Sequence, residues 1–437
     1  MDIPKKTEAT MSDDRATASI LFDDLWPIMR SITGDGVRET HEILSKIVPM
    51  ESFEIPSGTE VFDWTVPQEW RFREAYVIDP NGRKILDAKE NTLHLVNYSA
   101  PFEGIVPLEE LQRHLYSMPD RPGAIPYVTS YYKQRWGFCL PEDMRRSLPQ
   151  GDYKVVVDTV LFDGSMTVSE IVLPGASDRE VFFSTYTCHT AMANNELSGP
   201  ITSILLARRL ARRKDRRYTY RFVFLAETIG AIAYLHKTGA QLKENMHAGY
   251  VVTCTGLPEK FTYQKSRDGD TAADIAAQHA LATLDAAYDV RDFQPAGSDE
   301  RQYCSPGFNL PVGSLMRGPY HIYPEYHTSD DNLDLLSVDA LVGCVDAYEA
   351  ICDTLERNRR YETLNPHCEP FLSKHDLYPS VDAATQRQRI QAMLWILNQS
   401  DSTNDLIAIS RRSGIDLELL SEQAHLLEQG GLLQCLD

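Results

Sequence analysis

Four short segments gather side chains that can hold a divalent cation and move a proton. They are Cys188-His189-Thr190 with Asn194-Asn195-Glu196-Leu197-Ser198-Gly199, Ala226-Glu227-Thr228-Ile229-Gly230, Gly297-Ser298-Asp299-Glu300-Arg301, and Tyr326-His327-Thr328-Ser329-Asp330-Asp331-Asn332. Each ends an apolar run, and the polar groups fall at the C-terminal ends of predicted strands, where open α/β sheets place their ligands. One histidine at a strand tip is more often structural than a ligand. His189 and His327 together, with Glu227, Asp299 and the Asn195-Glu196 pair, make a nitrogen and oxygen donor set suited to a borderline-hard divalent ion, of which Zn²⁺ is the commonest. Glu227 follows the apolar run Phe222-Val223-Phe224-Leu225-Ala226, which favours a raised carboxylate pKa. As a general base it would take a proton from metal-bound water and pass it to a leaving amine; capping the helix that follows is the plainer alternative. Arg301 and Arg317 are candidates to hold a substrate carboxylate, and Tyr303 and Tyr326 to donate to an oxyanion. Arg301 could instead simply neutralise Asp299 or Glu300.

The elements that must position these groups are legible in the hydrophobic pattern. From Tyr153 onward, short apolar runs (154–161, 166–173, 181–187, 220–226, 250–254, 312–316) alternate with helical patterns at 200–213, 228–238, 274–285 and 338–355. Such alternation predicts an α/β region, a sheet covered by helices, reaching residue 360. Upstream, residues 16–48 carry apolar residues at helical spacing broken at Gly34 and Gly36, which predicts two helices, and residues 1–15 are polar and expected to lack structure. Aromatics, prolines and turn signals across 63–152 predict an inserted β-rich subdomain. Asn365 to Pro379 reads as a linker. Beyond it, three helical patterns with a Ser413-Gly414-Ile415-Asp416 turn predict a small winged-helix-like domain over 383–437.

Composition narrows the function. The 437 residues hold 43 basic and 63 acidic side chains, a formal charge of -20, which repels nucleic acid and anionic membrane. The stretch from 383 onward has four arginines against seven acids, so its expected role is packing or self-association into a homo-oligomer rather than DNA binding. Eight scattered cysteines without a C-x-x-C pair predict reduced thiols. The N-terminus lacks a signal-peptide core, and no apolar run approaches the roughly 20 residues that span a bilayer. A cytoplasmic location is the expectation.

In this order the four segments resemble the zinc aminopeptidases. More specifically, Arg30-Ser31-Ile32-Thr33-Gly34-Asp35-Gly36, Ile55-Pro56-Ser57-Gly58-Thr59 and Ser298-Asp299-Glu300-Arg301-Gln302-Tyr303-Cys304 resemble the aminopeptidase-like proteins named for polysaccharide biosynthesis, over nearly the whole chain. The resemblance implies an aminopeptidase-like mixed sheet as the catalytic domain (16–62 and 153–360), interrupted by the inserted subdomain. It also implies roles: His189 and His327 as metal ligands, Asn195 at the place of a metal-bridging Asp, Glu227 as the base and Asp299 as a first-site ligand. Asn195 is a poor bridge and Thr228 replaces a second glutamate, so one Zn²⁺ per chain is expected rather than two. Asp299 is the expected third ligand, with Glu196 as its alternative. The function expected is hydrolysis of an amide bond in a small peptide or aminoacyl conjugate, in turnover or biosynthesis. Glutaminyl-cyclase-like amide chemistry and a non-catalytic peptide-binding scaffold are the rivals.

Overall fold

The computed structural model describes residues 8–437 apart from 285, 376 and 378–382. The end of the expected linker and of the expected 274–285 helix, and residues 1–7, therefore lie outside the described residues. The chain forms two compact units, Met1–Glu349 and Ala350–Asp437.

In the first unit, β1 (Glu51–Pro56) lies at the edge of the main sheet. The chain then leaves that sheet to build a separate antiparallel one from β2 (Glu69–Ile78), β3 (Lys84–Asp87), β4 (Phe102–Pro107) and β5 (Asp152–Phe162), ordered β3-β2-β5-β4. The run expected to start the main sheet at 154–161 thus belongs to the inserted one. The chain returns with β6 (Ser165–Leu173), β7 (Glu180–Tyr186), β8 (Thr219–Leu225), β9 (Met246–Val251), β10 (Phe261–Gln264), β11 (Tyr288–Arg291) and β12 (Val312–Arg317). These complete an eight-stranded mixed sheet ordered β1-β6-β8-β7-β9-β12-β10-β11. Strands β8, β7, β9 and β12 run parallel at its centre. Every residue of β7 is buried, as expected of a parallel strand covered on both faces.

The covering helices are α1 (Glu8–Leu25), α2 (Asp35–Ser45), α3 (Ser198–Ala211), α4 (Ile229–Asn245), α5 (Ala272–Thr283) and α6 (Val338–Arg357). Gly34, just before α2, has φ +103, and a Cβ there would lie 2.0 Å from the Trp70 carbonyl oxygen, so this start of α2 requires glycine. Residues 8–15, expected to lack structure, are helical. Asp14 is 1% exposed and is bonded by Arg208 and by Arg209 Nε at 2.7 Å. Arg209 also reaches Asp346 at 2.7 Å and Glu349 at 2.8 Å. A buried ion network of this kind fixes geometry more than it adds stability, but breaking it strands a charge.

In the second unit, β13 (Arg360–Thr363) lies between β14 (Asp401–Asp405) and β15 (Leu433–Cys435), beside α7 (Ala383–Gln399), α8 (Leu406–Ser413) and α9 (Leu417–Gln429). Asp405 caps α8 and Asp416 caps α9 through their side-chain oxygens, and Gly414 turns the chain between them at φ +70. This is the expected winged-helix arrangement.

Two stability measurements follow. Asp14→Ala should cost about 3 kcal/mol in urea unfolding, and a loss below about 1 kcal/mol would show that the network is inert. His41 on α2 is buried between Thr187 (2.8 Å) and Ser169 (2.7 Å), and burial pulls its imidazole from 6.5 down to about 3. Its unfolded form therefore gains a proton below pH 6.5 that the folded form refuses. The stabilisation is complete above pH 6.5 and lost as pH falls from there toward 3. His41→Gln should flatten the acid side of the stability curve across that window; curves parallel to wild type would contradict this.

Candidate metal centre

Three tips of the sheet and one segment of the inserted region build the site. His189 leaves the end of β7, Glu227 the end of β8, and His327 sits in the loop beyond β12. The His189 imidazole is 4% exposed. Its Nδ1 lies 2.8 Å from Glu196 Oε2 and 3.3 Å from Cys188 Sγ, while its Nε2 faces Glu227 Oε2 at 3.6 Å. A carboxylate beside Nδ1 fixes that nitrogen as the donor and leaves the Nε2 lone pair directed toward Glu227. The other Glu227 oxygen accepts a hydrogen bond from Ser298 Oγ at 2.8 Å. Asp299 is fully buried, and its Oδ1 accepts from the Thr228 amide at 2.7 Å.

The second histidine is held by aromatic rings. His327 stacks on Tyr326 with centroids 3.9 Å apart and stands 5.5 Å from His189. Tyr127, from the inserted region, completes a triangle at 5.1 Å from His189 and 5.3 Å from His327. Its amide donates to the His327 carbonyl at 2.8 Å, and its hydroxyl pairs with that of Tyr131 at 2.6 Å.

Backbone strain gathers at the same place. Ala191, Thr228, Cys254 and His327 have φ of +43°, +66°, +51° and +57°, a region that non-glycine residues, and β-branched Thr228 above all, rarely occupy. Strain of this kind persists only where the surroundings over-determine it, and it concentrates at functional sites. Gly297, at φ +121, leaves space that a Cβ would close, 2.6 Å from the Tyr320 hydroxyl.

Electrostatics follow from burial. Burial and the neighbouring Glu227 carboxylate push Asp299 well above the usual carboxylate range. Burial, His189 and His321 hold His327 well below 6.5, so its ring is neutral at physiological pH. Burial raises Glu196 despite His189 and Arg30. For His189, burial opposes the charged form, but Cys188, Tyr127 and Glu196 outweigh it and the net direction is upward.

The structure thus sets Glu196, Glu227 and the His327 ring around His189, with Tyr326 stacked on His327, while Asp299 adjoins Glu227 and Thr228. Asn195 is close by, with its amide nitrogen 3.0 Å from the Tyr186 hydroxyl. Arg301 donates to Thr228 Oγ1 at 2.8 Å. Two expected substrate contacts point elsewhere. Tyr303 is wholly buried with its hydroxyl on Ser184 at 2.8 Å. Arg317 donates to the Glu259 carbonyl at 2.7 Å and lies over Phe261.

Sequence reasoning gave no role to four residues that shape the site. Arg30 has no exposed surface and donates through Nε to the His189 carbonyl at 2.8 Å. Asp331 accepts from the Asn194 and Asn195 amides at 2.7 and 3.0 Å and from the Tyr323 hydroxyl at 2.8 Å, which fixes the wide helical turn Ala193–Leu197. Ser298 and Tyr127 are the others. Arg30, Ser298 and Asp331 lay in segments already singled out; Tyr127 was hidden among ordinary core aromatics.

Whether these residues suit a metal can be tested on their unpaired atoms. Asn195 Oδ1, Glu196 Oε1, Asp299 Oδ2 and His327 Nε2 are buried without a hydrogen-bond partner, although Glu196 Oε1 lies 3.9 Å from Arg30 Nε. Unpaired buried acceptors are costly, about 1 to 3 kcal/mol each, and a cation satisfies acceptors as water-excluded protein cannot. Among the described residues, one set of three donors falls within 4.8 Å of one another, namely Cys188, His189 and Glu196. Those three already share the bonds at Nδ1, and burial pushes the Cys188 thiol up to about 11. His189 Nε2, which faces Glu227, and the unpaired Nε2 of His327 are the nitrogens a divalent ion would take, the first giving up its proton as the ion binds.

The comparisons with known proteins agree with this fold. Residues 20–358 match the family described as "Domain of unknown function (DUF4910)", and residues 359–435 match "winged helix-turn-helix". A Clostridium acetobutylicum protein, named as a candidate polysaccharide-biosynthesis protein with an aminopeptidase-like domain, is 42% identical over 415 residues, 95% of each chain. A crystal structure of a candidate peptidase from the same organism superposes with a TM-score of 0.89 at 40% identity, covering 98% of this chain and 99% of that one. A zinc aminopeptidase from Bacillus subtilis shares the fold at a TM-score of 0.59 and 12% identity, over 80% of this chain and 95% of that one. With its mixed sheet, its strand-tip histidine and carboxylate and its C-terminal winged-helix sequence, the chain belongs to the DUF4910 family of aminopeptidase-like proteins.

Proposed function

We propose that this protein is a metal-dependent hydrolase of an amide bond adjoining a free amine, in a small peptide or aminoacyl conjugate. The observation that carries this is the pairing of Glu227 with His189 Nε2 across 3.6 Å, with the His327 ring, whose Nε2 is unpaired, 5.5 Å from that of His189. His189 and His327 would hold one Zn²⁺ or similar ion, with Asp299 supplying a carboxylate. When bound, the ion lowers the pKa of water and polarises a carbonyl.

The remaining work belongs to the chain. Glu227 is partly exposed, with 24% of its side chain accessible, so it can meet water and substrate. Ser298 fixes one of its oxygens and leaves the other to take a proton from the attacking water and deliver it to the departing amine. Glu196 and Arg30 hold the His189 ring in one orientation and one tautomer. Tyr127, braced by the Tyr131 hydroxyl, and Tyr326 crowd the histidines and keep bulk water away, which strengthens each polar contact inside. Arg301, tethered to Thr228 beside Glu227, is placed to bind a substrate carboxylate.

Metal content by plasma mass spectrometry after Zn²⁺ loading should give about one ion per chain in wild type and in Cys188→Ser, and none in His189→Ala or His327→Ala. Loss in Cys188→Ser with retention in His327→Ala would move the metal to the buried cysteine side, and absence of metal from wild type would end the hydrolase reading. In a screen of aminoacyl amides, Glu227→Gln should keep the metal and lower kcat by about 10² to 10⁴. An unchanged kcat would remove Glu227 as the base.

A further inference from the structure

The C-terminal unit contains a cavity of about 750 Å³ that the chemistry above does not use. It opens among the end of β13, the segment after it and the C-terminal half of α7. Its apolar side is made by Pro366, Leu394 and Trp395, and its polar side by Glu362, Glu369 and Asp401. The volume falls within the range of small-molecule sites, as does the mixture of an apolar wall with a few polar groups.

Three observations give the cavity a chemical preference. No lysine or arginine lines it, and neither Glu362 nor Glu369 is paired with a cation among the described residues. Trp395 is 36% exposed and offers an indole surface, the strongest aromatic partner for a cation. Ser400 also lines the cavity at 1% exposure, and its Oγ is buried without a partner. The backbone of Ser400 is already committed, since its amide donates to Ile396 and its carbonyl accepts from Thr363. The hydroxyl is thus the group left to meet a ligand.

The surface that would read DNA in this type of module points the same way. The exposed positions of α9 are Glu418, Glu422, His425, Leu426 and Gln429, with no lysine or arginine to meet phosphate.

We propose that the cavity of the winged-helix unit binds a small organic cation, an ammonium group carried on an apolar or aromatic body. The ammonium sits between the carboxylates and the Trp395 ring, with Ser400 accepting one of its hydrogen bonds, and the apolar body lies along Leu394 and Pro366. The inference stands apart from the hydrolase reading, because none of its residues belongs to the metal centre.

The test uses the full chain and phenethylammonium as probe, titrated by calorimetry beside phenylpropionate, an anion of similar shape. His189→Ala serves as the background in which the metal centre is disabled. The expected result is saturable binding of phenethylammonium to wild type and to His189→Ala, with a Kd on the order of 0.1 to 1 mM, and none of phenylpropionate. Trp395→Ala and the double variant Glu362→Gln with Glu369→Gln should each weaken it about tenfold or more. The second variant removes charge without removing packing, so a Trp395→Ala chain that fails to fold does not end the test. Absence of saturable binding to wild type overturns the proposal. So does equal binding of the anion, or binding that His189→Ala abolishes and the cavity variants leave unchanged.

Discussion

Glu196 has no exposed surface, and its charge is answered from two sides, by His189 at 2.8 Å and by Arg30 at 3.9 Å. A carboxylate taken this far from water needs such partners. Satisfying it commits much of the site. Arg30 must be buried too, so it bonds the His189 and Leu25 carbonyls and ties the segment after α1 to the tip of β7. His189 must present Nδ1 to the carboxylate, so Nε2 can face only toward Glu227. The wide turn Ala193–Leu197 that carries Glu196 is in turn held by Asp331, four residues beyond His327. One buried charge thereby links both histidine segments.

The inserted region is part of this arrangement rather than an appendage. Segment 125–130 runs beside 327–329, with Tyr127 bonded to His327 and the Ser329 amide bonded to the Ile125 carbonyl at 2.8 Å. The insertion thus sets the angle and the dryness of the histidine pair, which the sheet alone does not determine. Thr228 and His327 at positive φ indicate how closely their loops are constrained by what surrounds them.

The sheet and its tips were legible because continuous burial writes an apolar run: 181–187 and 220–226 match β7 and β8 within a residue. The short strand β10 and the edge strand β11 were not, since four residues such as Tyr288–Arg291, none of them buried, leave no period to detect. His189 and Glu227 stood out because polar residues ended those runs, whereas His327, in the loop well beyond β12, stood out as a second imidazole able to share an ion with His189. Arg30 and Asp331 lay in quoted segments and Tyr127 among aromatics, all without a role, because each gains its meaning from a partner more than one hundred positions away. The same distance hid the first half of α1, where Asp14 looks solvated until Arg208 and Arg209 are beside it. Tyr303 and Arg317 erred the other way: nearness in sequence to a motif put them on the list, while strand packing turned their side chains elsewhere. The winged helix was readable from its three helical periods and the Ser413-Gly414-Ile415-Asp416 turn, because both are local signals, and the caps Asp405 and Asp416 hold those helices in place.

The decisive question is whether the ion sits on the open side of His189, with His327, or on the buried side with Cys188. Zinc K-edge absorption on the loaded protein answers it directly. The expected spectrum contains nitrogen and oxygen scatterers at about 2.0 to 2.1 Å with the outer-shell pattern of two imidazoles, and no sulfur. A sulfur scatterer at about 2.3 Å would place Cys188 in the coordination sphere and contradict the assignment of His189, His327 and Asp299 as ligands.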